Sequence, residues 1–154
     1  MSALEPVNKS YWLARLCEAN YLRLLTLIPH LQGLAPGMSA CAEGTPALHL
    51  RLLERSPYTL TLELTHSFTW EFGALLEPAV RVRVYLDARA AEVLSDHDRP
   101  YVLDALRHDP SARKIMDYKW SLNYFLAQWL DHCIASEYRF RPMEATVDLM
   151  RVTA

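Results

Sequence analysis

Asp131, His132 and Cys133 stand side by side, an acid, a base and a nucleophile in one run. A hydrolytic triad needs those side chains to converge on one point. Consecutive helical residues point about 100° apart, so three in a row do not converge. Cys133 falls instead on an apolar stripe and is expected as a small core residue. His97 lies between Asp96 and Asp98, a donor set that could ligate a metal. Asp is also a common turn residue, and a solvated turn is the simpler expectation. No two histidines stand at i, i+4 on an expected helix. Gly33, Gly37, Gly44 and Gly73 match neither the dinucleotide nor the P-loop spacing, and no GxSxG elbow occurs. The sequence therefore assigns no catalytic residue, no metal ligand and no cofactor.

Polar side chains set among apolar ones remain. Arg83 and Tyr85 alternate with Val82 and Val84. Arginine forks suit carboxylate and phosphate, so Arg81 and Arg83 could form an anion or partner surface. The plainer reading is a solvated face of His49, Arg51, Thr61, Glu63, Arg81, Arg83, Tyr85 and Glu92. Cross-strand charge pairs would knit it at about 0.2–1 kcal/mol each. Base stacking would call for interleaved aromatics, and only Tyr85 qualifies, so nucleic acid is not expected. Asp117, Lys119 and Asn123 gather at a helix start, where the backbone adds positive potential. They could serve as caps and solvated surface, or as a small polar pocket at the helix–sheet edge. Asn20 interrupts an apolar stripe, as a tie to neighbouring backbone or as a ligand-facing amide.

Elements must position these groups. Ser10–Ile28 has helical spacing, with Leu13, Leu16, Cys17, Asn20, Leu24, Leu27 and Ile28 on one side, and Pro29 ends it. Residues 31–46 are expected as a loop. Ala47–Glu54 and Tyr58–His66 alternate with period two around Arg55-Ser56-Pro57, a hairpin. Residues 68–78 are expected as a wide loop or irregular strand. Ala79–Leu86 and Ala90–Ser95 are two further strands, and residues 101–108 a short helix. Asp117–Tyr138 carries Leu122, Phe125, Leu126, Trp129, Cys133 and Ile134 at spacings of three and four, a helix able to bury a large apolar face. Asp109-Pro110 could start it earlier. The expected fold is α+β and two-layered, an antiparallel four-stranded sheet with N- and C-terminal helices packed on one face. A single domain is expected over 1–154, with a core of about 8–138 and a strap or partly disordered tail over 139–154.

The bulk numbers fit one such domain. The chain has 154 residues, 51% hydrophobic and 22% charged, with a formal net charge of −2. That charge makes no global basic field. Cys17, Cys41 and Cys133 are odd in number without a CxxC pair, which argues against a disulfide framework and for a reducing cytoplasm. Residues 1–10 lack the pattern of a signal peptide, and no apolar run is long enough to span a membrane.

Several segments together resemble the YqiB-like family of small bacterial proteins, a domain of unknown function. They are Arg15-Leu16-Cys17-Glu18 with Asn20, Glu54-Arg55 with Tyr58-Thr59, and Val82-Arg83-Val84-Tyr85 with Asp87-Ala88 and Ala91-Glu92-Val93. Asp117 with Lys119, Asn123, Phe125-Leu126 and Trp129-Leu130 completes the set. The chain departs from the pattern at Leu86, where histidine often stands, and at Tyr118, where an acid often stands. The resemblance implies no activity. It does mark polar positions inside its motifs, Glu18, Asn20, Arg83, Tyr85, Asp87, Glu92, Asp117, Lys119 and Asn123, with cap and turn duties able to explain Asp87 and Asp117; Glu18, Asn20, Arg83, Tyr85, Lys119 and Asn123 are the candidate ligand-binding positions. The expected function is a non-catalytic binding or protein-interaction domain of the cytoplasm, with a protein partner or a homo-oligomer. The alternative is a small-molecule enzyme or sensor for an anionic, nucleotide-like ligand.

Overall fold

The computed structural model describes residues 9–34, 39–42, 47–70, 73–76, 79–95 and 111–140. Helix α1 (Lys9–Leu27) is followed by a 3₁₀ turn at Leu31–Gly33. The strands are β1 (Ser39–Ala42), β2 (Ala47–Arg55), β3 (Thr59–Trp70), β4 (Gly73–Leu76), β5 (Val80–Tyr85) and β6 (Ala90–Ser95). Helix α2 (Ala112–Ala135) follows. The fold is α+β. The sheet runs β1-β2-β3-β5-β6, antiparallel throughout, and β4 pairs with the end of β3 beyond β5.

The expected count of four strands is corrected by this sheet, which is five strands wide with a sixth at the end of β3. β1 lies inside the segment expected as a loop, and β3 continues past His66 to Trp70 before β4 pairs with it. The two strands beyond the expected four, β1 and β4, have four residues each and no polar–apolar alternation, and β4 falls where an irregular strand was one of the two expectations. They exist through backbone pairing to a longer neighbour, which leaves no periodic trace in the sequence.

Alternation elsewhere sets the register. Leu52, Leu62, Val82 and Val93 lie opposite one another across four strands, all buried. Leu50, Leu64 and Val80 form a second row. The odd-numbered residues between them face the other way. The ladders shift between Leu52 and Glu54 in β2 and between Arg81 and Val82 in β5, local irregularities that twist a sheet.

One apolar cluster joins these rows to both helices. From α1 it takes Tyr21, Leu24 and Leu27, and from α2 Leu122, Leu126, Leu130 and Cys133. Phe125 was expected on the apolar face of α2 but is exposed, stacked on Trp129 at 6.4 Å. The buried side turns instead through Leu122, Asn123, Leu126, Ala127 and Leu130. The helices run parallel, because their cross-links keep the same order along each. Asn20 reaches the backbone of Asn123, Arg23 reaches Asp131, and the N–H of Phe140, just past α2, donates to Leu27 O at 2.8 Å. Phe140 is buried in the same cluster. The helix expected over 101–108, the Asp109-Pro110 start, His97 with its aspartates, and the tail from 141 onward lie outside the described residues.

Candidate functional site

β6 is an edge of the sheet, and α2 runs beside it. Val93 gives its N–H to Asn123 Oδ1 at 2.9 Å rather than to another strand. Asn123 Nδ2 donates to Lys119 O at 2.8 Å, and Asn20 Nδ2 donates to Asn123 O at 3.1 Å. Asn20 Oδ1 in turn accepts from Arg23 Nη1 at 3.0 Å, and Arg23 Nε pairs with Asp131 at 2.8 Å. Both amides are fully buried. A buried amide without partners costs about 1–3 kcal/mol, and here both are used to join α1, α2 and β6.

One turn of α2 before Asn123, Lys119 leaves the core and meets the outer side of the sheet. Its Nζ lies 3.1 Å from Glu92 Oε2. Glu92 stands opposite Arg83 in the β5–β6 ladder, and Tyr85 donates its hydroxyl to the other Glu92 oxygen at 3.3 Å. Burial, then the charge of Glu92, pushes the Tyr85 phenol above its ordinary range, while Arg83 beside it pulls the other way. Tyr85 is therefore a neutral donor at pH 7, not a base. Further across the same face, Glu63 bridges Arg51 at 2.9 Å and Arg81 at 3.4 Å.

Five of the six candidate positions thus form one connected chain: Asn20, Asn123, Lys119, then through Glu92 to Tyr85 and Arg83. Glu18 stands apart. It faces outward from α1, 3.6 Å from Arg15, and lines an open cleft of about 250 Å³ with Tyr21, Leu22, Ala88 and Arg89. Arg89 lies over the Tyr21 ring at 5.7 Å and holds a φ of 55° in the β5–β6 turn. Two participants were not among the six ligand-binding candidates, although Glu92 stands among the polar motif positions. Glu92 was readable as an outer-face acid across from arginine, yet its position between Lys119 and Tyr85 depends on where α2 lies. Nothing in the sequence singles out Arg89.

The two buried thiols are poorly placed for nucleophilic chemistry. Burial, reinforced by the charge of Glu92, pushes the Cys17 thiol up to about 12, and burial takes Cys133 to about 11. Neither is a thiolate near neutral pH. Among the described residues no group of three or more His, Cys, Asp or Glu side chains could hold a metal, and no helix is long and apolar enough to cross a membrane.

The family model described as "Protein of unknown function (DUF1249)" matches residues 23–139. Three relatives named "Uncharacterized protein YqiB", from Escherichia coli K12, O6:H1 and O157:H7, are each 34% identical over 126 residues. The alignment covers 79% of this chain and 85% of each relative. No solved structure matches.

Proposed function

The chain belongs to the YqiB-like family of proteins of unknown function, and from that premise we propose that it is a non-catalytic protein-interaction domain. One observation carries the reading: the groups best suited to chemistry are engaged with one another. Lys119 and Tyr85 divide the two oxygens of Glu92 between them, and Asn20 and Asn123 hold backbone. General acid–base catalysis needs a titratable group within reach of a substrate proton, and these are occupied. Large exposed side chains gather instead on α1, at Tyr11, Trp12 and Leu22. Such groups suit a protein surface. The free thiols fit a reducing compartment, and we place the protein in the cytoplasm.

A second reading keeps one specific observation in its favour. Tyr85 and Lys119 both hold the Glu92 carboxylate, and Arg83 stands opposite Glu92 in the ladder and beside Tyr85. A small anion that took the place of Glu92 would meet two cations and a phenol donor. A thermal-shift screen against nucleotides and anionic metabolites separates the two, repeated with Arg83→Ala and Lys119→Ala. The interaction reading expects no specific shift. A shift in the wild type that both variants lose would overturn it in favour of the anion site.

A further inference from the structure

Four outward positions along α1 are Tyr11, Arg15, Glu18 and Leu22, spaced four, three and four residues apart. That spacing makes a single seam along a helix, the one used by paired helices. Tyr11 is 52% exposed and Leu22 57%, and the Arg15 and Glu18 side chains 61% and 52%. The seam is symmetric about its midpoint, with apolar groups at both ends and opposite charges between them. A surface that is self-complementary under reversal is what a two-fold interface requires.

We propose that α1 pairs with α1 of a second copy of this chain, antiparallel across a two-fold axis. The proposal rests on the interaction-domain reading and names its partner. The axis sets Tyr11 against Leu22 of the partner subunit and Arg15 against the partner's Glu18. Parallel pairing would set arginine on arginine and glutamate on glutamate, so the charges select the antiparallel arrangement. Within one chain Arg15 and Glu18 already lie 3.6 Å apart, and pairing extends this to a ring of four alternating charges.

The cleft supplies the second half of the fit. It opens beside Leu22, between α1 and the β5–β6 turn, with a volume of about 250 Å³. The axis carries the partner's Tyr11 onto Leu22, at the edge of this cleft, on each side. Trp12 is 48% exposed and packs edge-on against Tyr11, bracing that ring from the flank of α1 opposite the cleft. Arg89 at the cleft wall already lies over one aromatic ring and offers a guanidinium face to another. The seam from Tyr11 to Leu22 is only about 16 Å long at 1.5 Å per residue. That puts the interface in the small, transient class below about 1,200 Å², and association is expected at micromolar protein.

Sedimentation equilibrium from low micromolar to submillimolar protein tests this. The wild-type mass should rise from 17.7 kDa toward twice that value. Arg15→Glu and Glu18→Arg each put like charges across the axis and should weaken association about tenfold or more. Mixing the two variants restores opposite charges at both crossings and should return the dimer. Both positions are exposed, and circular dichroism checks that each variant keeps the fold. A wild type that stays monomeric throughout overturns self-pairing, and the ligand screen then decides the interaction reading separately. A dimer indifferent to both substitutions, or a mixture that does not recover, also overturns the proposal.

Discussion

Asn123 shows how one side chain can settle the placement of a helix. Its oxygen takes an N–H from the edge strand, its nitrogen serves its own helix, and its backbone carbonyl receives Asn20. An open strand edge invites pairing with other chains, and the amide covers part of that edge. Asn123→Leu keeps the branched heavy-atom shape but leaves the Val93 N–H buried without a partner. The expected loss is about 3 kcal/mol, read as a lower midpoint in urea unfolding. An unchanged midpoint would mean the bond contributes little. The sequence shows that Asn20 interrupts an apolar stripe and so needs partners, while it sets Asn123 with Asp117 and Lys119 in a polar cluster at a helix start. It does not show which partners, because they belong to segments far away along the chain. The same limit applies to Glu92, whose acid is visible but whose lysine is not.

Helix α2 begins before Asp117, at Ala112, with Ser111 as its N-cap. Ser111 accepts the Lys114 N–H at 3.3 Å, and its backbone oxygen takes that of Ile115. The first turn holds Arg113 and Lys114 and no acid, the wrong sign for the positive end of a helix. The cap satisfies one of the exposed N–H groups at that end, so it matters. Ser111→Ala should cost about 1 kcal/mol in urea unfolding, while Ser111→Asp should restore or exceed the wild type. Elements with sustained periodicity were legible almost to the residue, as with Ala90–Ser95. Those of four residues were not. Phe125 fell on the wrong side of α2 because its spacing to Leu122 and Trp129 suits the stripe, yet the buried arc is set by Asn123 and Leu126.

At the scale of the whole molecule, the two buried thiols tie stability to alkaline pH. The ordinary thiol value is 9.0, and the fold raises Cys17 to about 12 and Cys133 to about 11. Above pH 9 the unfolded chain loses protons that the native chain keeps, so stability falls as pH rises, and the contribution is fully present below 9. The slope is about 1.4 kcal/mol per pH unit for each thiol. Urea midpoints measured under reducing conditions should fall above pH 9, and between pH 9 and 10, below the range where the raised Tyr85 and Tyr138 phenols add their own slope, Cys17→Ala should remove about half of it. The fold class was readable because four alternating strands and two amphipathic helices admit few arrangements. The parallel course of the helices was not, since no local pattern records it. That course also bears on how the chain comes to be folded. α1 is made first, yet its neighbour α2 follows only after the whole sheet, and Phe140 closes on Leu27 later still. The contacts that seat α1 are thus among the longest-range in the molecule, which slows a folding reaction. On the ribosome, the aromatic seam of α1 is exposed from the outset, while its core side waits for residues 112–140 to emerge.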